Sequence, residues 1–231
     1  LHADLADGRA MRRLTTNVPL LSDVLKSGEL ADKQALLGYI GLNYHPDLLP
    51  VLRHALASPD AVVRVQAAAV FAKLREQFKA RWRQCQSTCK TQTLQCNADV
   101  EATATELHVC MTSGFLDDAE MRQAAEGAIG TFRQAVASGP LDAVADLQLC
   151  RTLNVAGAHD VVCRHLAPRK DIVGPELRQI YSRSLMYLGC SSELASSLKG
   201  SESGTGLLPS IRDFEWTPNI RVPQKVVGQH C

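Results

Sequence analysis

The residues with the most obvious chemical potential in this chain are three cysteines at helical spacing. Cys85, Cys89 and Cys96 stand at positions i, i+4 and i+11, which places all three side chains on one face of a helix. Thiols gathered on one face indicate a metal or redox site, which Cys110 and His108 would complete. The alternative is a core seam in which cysteine packs as a small hydrophobic residue.

The spacing of these cysteines favours the core seam. Zinc sites usually place cysteine pairs across a turn, and the sequence has no knuckle of that kind. The eight cysteines of the whole chain also lack the dense spacing of secreted disulfide scaffolds, which favours a reducing compartment. We therefore predict no metal and no cofactor, and Cys85, Cys89 and Cys96 are the candidates if a metal is bound.

No other group of residues in the sequence predicts catalysis. Cys163 and His165 are two residues apart, so on a helix their side chains point to different faces and cannot share a proton. A Gly-rich phosphate loop, a His-Glu zinc motif, a nucleophile elbow and an EF-hand loop are all missing from the sequence. The prediction is a protein that is not an enzyme, although a diffuse active site would escape motif analysis.

The elements that must position these side chains begin with residues 45–74, HPDLLPVLRHALASPDAVVRVQAAAVFAKL. This stretch predicts two amphipathic helices joined by a Ser58-Pro59-Asp60 turn, with Asp60 or Ser58 as the N-cap of the second helix. Val63 and Val65 are expected on its apolar side. Such a pair has more apolar surface than it can bury alone, so it must stack on neighbours. The segment PD-x-x-V-R-V-Q-A-A resembles a HEAT repeat.

A second helix pair precedes this unit. Residues 18–28 predict a short helix that ends at Gly28, and residues 30–43 predict a helix whose buried face carries Leu30, Leu36, Leu37 and Ile40. Downstream, no Gly or Pro interrupts residues 61–112, a length unusual for one helix. We expect a break near residues 97–99, with Asn97 or Asp99 capping the next helix.

The second half of the chain repeats a helix, glycine turn, helix plan. Gly157 and Gly189 occupy equivalent places 32 residues apart, close to the period of tetratricopeptide repeats, which is about 34 residues. The predicted fold is therefore all-α, a helical solenoid of HEAT-like repeats followed by tetratricopeptide-like helix pairs. The expected divisions are an N-terminal linker (1–17), HEAT-like repeats with a long helix (18–96), tetratricopeptide-like repeats (97–200) and an extended C-terminal tail (201–231).

Composition and charge call for neither a nucleic acid nor a membrane as partner, which leaves protein partners as the expectation. The 231 residues are 45% hydrophobic and carry a formal net charge of +1, so nothing calls for a nucleic acid partner. No apolar run approaches the roughly 18 residues of a membrane span. The long helix carries a basic run that usually marks a solvated face. The residues predicted to contact a partner are Arg64, Arg75, Lys79 and Arg83.

The order of these segments resembles the PelE family. The segments that carry the resemblance are VRVQAAAVFAKLREQF, which closes the HEAT-like unit, then TSGFLDDAEMRQAAEGAIGTFRQAVASGPLDAVADLQLCRTLNVAG, and finally IYSRSLMYLGCSSELASSL. Together they cover about residues 18 to 200. The cysteine-rich helix departs from the family pattern and leaves open a separate role for its thiols.

PelE proteins are inner-membrane components of bacterial Pel exopolysaccharide synthesis and export, a biofilm pathway. The resemblance implies a non-catalytic interaction scaffold on the cytoplasmic face of the inner membrane, reached through a segment before Leu1. Its expected partners are a PelD-like cyclic-di-GMP receptor and a PelF-like glycosyltransferase. Two alternatives stay open: a generic HEAT-repeat regulatory adaptor, and a HEAT-solenoid enzyme of the bilin lyase type.

Overall fold

Every secondary-structure element described in the computed structural model is a helix, which confirms the all-α prediction. The structure describes residues 18–91, 94, 96–168 and 174–194. The α-helices are α1 (Val18–Ser27), α2 (Leu30–Leu42), α3 (Leu49–Leu56), α4 (Ala61–Thr91), α5 (Asn97–Thr112), α6 (Asp118–Ser138), α7 (Ala143–Val155), α8 (His159–Leu166) and α9 (Pro175–Leu188); a 3₁₀ turn, Pro46–Leu48, precedes α3.

The first four helices form two stacked pairs. Helix α1 packs on α2 and α3 packs on α4, and each helix also packs on the next but one, α1 on α3 and α2 on α4. Their shared core consists of leucine, isoleucine, valine and alanine side chains that are almost completely buried. The apolar stripe of each predicted helix is thus covered by its neighbours, because no single pair could bury it.

Helices α2 and α4 run side by side in the same direction. The side-chain amide Nε2 of Gln66 donates to the backbone oxygen of Gln34 over 3.1 Å. Further along both helices, Gly41 faces Val70, and a Cβ placed at Gly41 would lie 3.5 Å from the Val70 side chain. The contact that comes later in α2 also comes later in α4, so the two helices run parallel.

Two residues assigned to buried faces are exposed. Leu30 is 43% exposed and Val65 is 71% exposed, so their predicted burial was wrong. The buried line on α4 runs through Val63, Ala67 and Leu74, at spacings of four and seven residues. Val65 lies two residues from Val63 and therefore on another side of the helix.

Two N-caps were predicted, one at the start of α4 and one at the start of α5. The Asp60 carboxylate accepts hydrogen bonds from the backbone N–H of Val62 (2.8 Å) and of Val63, as predicted. At the next break the prediction placed the cap at Asn97 or Asp99, and this was wrong: Cys96 holds the N-cap position and its side chain makes no capping bond. Asp99 instead lies in the first turn of α5, where its negative charge interacts favourably with the positive end of the helix dipole.

An aromatic cluster joins the turn after α5 to the first two helix pairs. Phe115 stacks on Phe78 with 5.4 Å between ring centroids and also contacts Phe71 and Tyr44. The Tyr44 hydroxyl donates to the backbone oxygen of Ser113 over 2.7 Å. Phe115 is 5% exposed and belongs to the core of the first four helices.

Gly114 shapes the turn at this junction. Its φ is +74°, a left-handed conformation that glycine adopts at little cost. A Cβ at this position would lie 2.4 Å from the Cδ2 atom of Leu49. That atom is the end of a flexible side chain that can move aside, so the left-handed backbone of residue 114 is the stronger reason for a glycine in this turn.

Helices α5, α6 and α7 continue the packing, with α5 against α6 and α7, and α6 also against α4. Asp117 and Glu120 form a reciprocal capping box at the start of α6. Asp142 caps α7 through the backbone N–H groups of residues 144 and 145. Thr152 of α7 donates its hydroxyl to the backbone oxygen of Ala104 of α5 over 2.9 Å.

The chain divides into two compact units, residues 1–156 and 157–231. The predicted division between residues 96 and 97 lies inside the first unit, where α4 packs on both α5 and α6. The predicted linker (1–17) and tail (201–231) lie outside the described residues. Within the described ranges, none of the helices combines the length and the apolar character needed to cross a bilayer.

The second unit contains the helix pair α8 and α9, which pack on each other. Gly157 (φ +73°) and Gly189 (φ +74°) adopt the same left-handed conformation. Gly189 is the C-cap of α9, and its N–H bonds to the last turn of that helix. The two glycines that the sequence placed in equivalent positions thus have equivalent backbone geometry.

The burial pattern predicts how truncation affects stability. Leu52 is fully buried in the core of the first four helices, so Leu52→Ala should lower the free energy of unfolding by about 2–5 kcal/mol. Urea unfolding followed by circular dichroism measures this loss. The control Val65→Ala, at an exposed position, should change the value by about 0.5 kcal/mol or less; similar losses for both variants would contradict the placement of Val65.

Candidate functional site

The structure keeps two of the three predicted cysteines together and separates the third. Cys85 and Cys89 lie one turn apart near the end of α4, which stops at Thr91. Cys96 follows the break and is exposed. The expectation that all three share one helix face was therefore wrong, because the helix ends between Cys89 and Cys96.

Cys85 and Cys89 have opposite shifts in pKa, which are caused by their proximity on α4 and by Thr131 of α6. The hydrogen bond from Cys85, together with one from Thr131 of α6, lowers the pKa of the Cys89 thiol to about 7 despite its partial burial. The same contact and burial raise the pKa of the Cys85 thiol. Cys89 is thus the ionising member of the pair, with Cys85 as its proton-bearing donor. A thiolate rather than a thiol is the nucleophilic form of cysteine.

Cys110 of α5 completes this group, which we call the thiol site (Cys85, Cys89, Cys110 and Thr131). Cys110 is fully buried, and burial raises its pKa to about 11. It interacts electrostatically with both cysteines of α4. Since the pKa values of Cys85 and Cys110 are raised and that of Cys89 is lowered, reactivity at neutral pH is concentrated on one sulfur.

A charged cleft lies beside the thiol site. Arg81 of α4 pairs with Glu106 of α5 through two hydrogen bonds, one of them 2.7 Å from Nη2 to Oε1. The hydrogen bond from Arg81 lowers the pKa of the Glu106 carboxyl. The cleft has a volume of about 350 Å³, and Cys85 and Asp99 also line it. This arrangement places an open cleft with charged side chains in its lining beside a nearly buried cysteine.

The geometry does not assemble the metal site considered from the sequence. Cys96 lies beyond the end of α4, at the N-cap of α5, and is exposed. His108 and Cys110 are two residues apart on α5, so they point to different faces. The Nδ1 atom of His108 is buried without a hydrogen-bond partner, and burial together with the charge of Arg151 lowers the pKa of its imidazole. Among the described residues, the predicted ligands do not gather into a metal-binding set.

Arg64 and Arg75, two of the predicted partner contacts, differ in their surroundings. Arg64 donates from Nη1 to the backbone oxygens of Ser58 (2.7 Å) and Pro59 (2.8 Å), which stabilises the turn before α4. Arg75 is exposed and makes no ion pair within the described part of the chain. Both keep their charge on the outer side of α4, but only Arg75 is available without breaking an internal contact.

Lys79 and Arg83, the other two predicted contacts, are engaged within the chain. Lys79 pairs with Glu120 at 3.1 Å, which links α4 to the capping box of α6. Arg83 pairs with Glu76 at 2.7 Å on the same helix. Exposed pairs such as this one contribute little stability, about 0–1 kcal/mol, so a partner with a better-placed anion can replace them.

The first turns of α4 expose apolar side chains that the sequence analysis had not placed on the surface. We call Val62, Val65, Ala69 and Ala72 the outer face; all four are exposed. Their spacing of three and four residues is that of one helix face. A spacing of three and four residues is also the signature of a buried helix face. Only the position of the neighbouring helices decides which apolar face of α4 is buried and which is exposed.

The second unit holds a histidine and a serine in contact. His159 stacks on Tyr187 with 4.3 Å between ring centroids, and its Nδ1 lies 3.4 Å from the Ser184 hydroxyl. Ser184 is fully buried, so a substrate cannot reach its oxygen. Burial also raises the pKa of Cys163 to about 11, which leaves it protonated at neutral pH.

The pKa of Cys89 predicts a distinct pH profile of alkylation. In the full chain, the rate of reaction of Cys89 with iodoacetamide should be half-maximal near pH 7, below the usual cysteine value of about 8.5. Cys85→Ala removes the donor, so its midpoint should move to higher pH, whereas Cys96→Ala should leave it unchanged. Peptide mapping by mass spectrometry gives the rates; an unshifted midpoint in Cys85→Ala would refute the donor role.

Comparison with protein-family models, curated proteins and solved structures found no match for the chain. The resemblance to the PelE family therefore stays a prediction made from the order of the sequence segments. What the chain does must be inferred from the packing of its helices, the outer face of α4 and the thiol site.

Proposed function

We propose that this chain is a non-catalytic protein–protein interaction scaffold. The observation that supports it is the outer face of α4, an exposed apolar helix surface at the edge of two stacked helix pairs. Val65 at its centre is 71% exposed. Exposed apolar side chains grouped on one rigid surface are typical of partner-binding sites.

The flanks of the outer face indicate the chemistry of the partner. At 100° per residue, Arg64 and Arg75 border the face on one side and Lys73 borders it on the other. All three are exposed. A partner segment with an apolar stripe and acidic flanks fits this pattern, because apolar burial supplies affinity and complementary charge supplies specificity.

The arrangement of the first four helices supports a HEAT-like solenoid as the form of this scaffold. Successive helices pack as pairs, and equivalent helices of the two pairs stack in parallel, α2 on α4. In the second unit, the shared conformation of Gly157 and Gly189 supports a tetratricopeptide-like plan. A preformed helical array loses little conformational entropy when a partner binds.

The narrower proposal is a PelE-like role in bacterial exopolysaccharide synthesis and export. The segment order described above supports it, and the S-G-F-L-D turn within that order supplies Phe115 to the core. The partners would be a PelD-like cyclic-di-GMP receptor and a PelF-like glycosyltransferase, met on the cytoplasmic face of the inner membrane. A segment before Leu1 would provide the attachment.

Binding to purified PelD-like and PelF-like proteins tests both levels of the proposal. The full chain should bind at least one of them in calorimetry, and Val65→Asp should weaken binding on the order of tenfold or more, because it places a charge in the centre of an apolar contact. The matched control Val136→Asp changes an exposed valine of α6 and should bind as the unmodified chain does.

The outcomes separate the alternatives. No complex with either protein would reject the PelE-like role and leave the generic HEAT-repeat adaptor. Equal weakening by Val65→Asp and Val136→Asp, with circular dichroism unchanged, would reject the outer face as the binding surface. A small molecule or chromophore that copurifies in stoichiometric amount would favour the enzyme of the bilin lyase type.

A further inference from the structure

The thiol site has features that a simple core seam does not require. Cys85 and Cys89 lie one helical turn apart on the same face of α4. Cys85 is 5% exposed and borders the charged cleft, whereas Cys89 is half-buried.

The position of the pair along α4 allows the two sulfurs to approach. Side chains four residues apart on a helix have Cβ atoms roughly 5–6 Å apart, whereas a disulfide needs about 3.5–4.5 Å. Closing this gap requires an adjustment of the helical turn between them. Cys89 is two residues from the end of α4, where the backbone has few hydrogen bonds left to lose.

We propose that Cys85 and Cys89 form a thiol-modification site that low-molecular-weight disulfides, such as oxidised glutathione, convert to an intrahelical disulfide. Cys89 is the attacking sulfur and Cys85 the resolving one. This assignment rests on the greater exposure of Cys89 and on its position nearer the end of α4. The proposal does not depend on the scaffold function.

The chemistry balances in two exchange steps. The Cys89 thiolate attacks one sulfur of the small disulfide, forming a mixed disulfide and expelling one small thiolate. Cys85 then loses its proton, and its sulfur attacks Cys89 Sγ and expels the second small thiolate. The two protein thiols lose two electrons to the small disulfide, and the two protons released by the protein end on the two small thiols.

The neighbouring groups fit this order of events. Arg81 lies close enough to Cys85 for an electrostatic interaction, so it favours the thiolate that Cys85 must become in the second step. Glu106 opposes that ionisation, but Arg81 pairs with it through two hydrogen bonds. Cys110 is fully buried, which leaves it a poor competitor for an incoming disulfide.

The sequence offers a direct readout of this disulfide. Trypsin cuts after Arg83 and after Lys90, so a single peptide, QCQSTCK (84–90), contains both cysteines. The full chain is incubated with oxidised glutathione near pH 7, free thiols are alkylated, and the digest is analysed by mass spectrometry. Peptide 84–90 should lose two hydrogens and carry no alkyl group, and reduction before alkylation should restore both thiols.

Variants separate the roles of the two sulfurs. Cys85→Ala should stop the reaction at the mixed disulfide, with glutathione retained on Cys89. Cys89→Ala should leave peptide 84–90 unmodified, because the remaining Cys85 is nearly buried. The control Cys96→Ala removes an exposed thiol and should form the 85–89 disulfide as the unmodified chain does. Circular dichroism of each variant shows that α-helix is retained.

Two results would overturn the proposal. One is modification of Cys96 or Cys110, both in the next tryptic peptide (91–122), while peptide 84–90 stays fully alkylated. The other is a Cys85→Ala chain that takes up no glutathione at Cys89. If a variant fails to fold, peptide mapping of the unmodified chain alone still decides between a disulfide within 84–90 and oxidation elsewhere.

Discussion

The contact of Phe115 with the aromatic side chains of α4 is the interaction on which the first unit depends. Phe71 and Phe78 come from α4, Tyr44 from the connection after α2, and Phe115 from the turn between α5 and α6. This cluster connects the later helices to the core of the first four. The turn that carries Phe115 also contains Gly114, whose φ of +74° is a conformation that favours glycine. Removing the contact would leave α4 exposed over the middle of its length.

Helix α4 has two roles that follow from its length. At about 1.5 Å per residue, its 31 residues extend roughly 46 Å. Its first half packs on α2 and α3, and its second half packs on α5 and α6. The outer face of the first half is free for a partner, whereas the thiol site of the second half lies where three helices meet. Oxidation at the end of α4 and binding at its start therefore involve different neighbours.

Much of the fold could be predicted from local patterns. The starts and ends of α1 to α3, the Asp60 cap and the break before α5 depend on residues close in sequence, such as Pro46 and Gly28. The exposure of Leu30 on α2 and of Val65 on α4 could not be predicted, because both helices carry apolar residues on more than one side and periodicity does not say which side meets a neighbour. The same limit applied to Cys96, whose position depends on where α4 ends.

The sequence by itself determined that the chain is helical, where most of its helices lie and that Cys85 and Cys89 share a helix face, because these properties depend on propensity, capping and spacing within about ten residues. Only the tertiary structure decided that Thr131 and Cys110 join this pair, that Arg81 pairs with Glu106, and that Val65 faces solvent. These contacts link residues 21 or more positions apart in sequence or depend on which faces of a helix are covered. Packing between residues distant in sequence determines these contacts, and local sequence patterns carry no information about such packing.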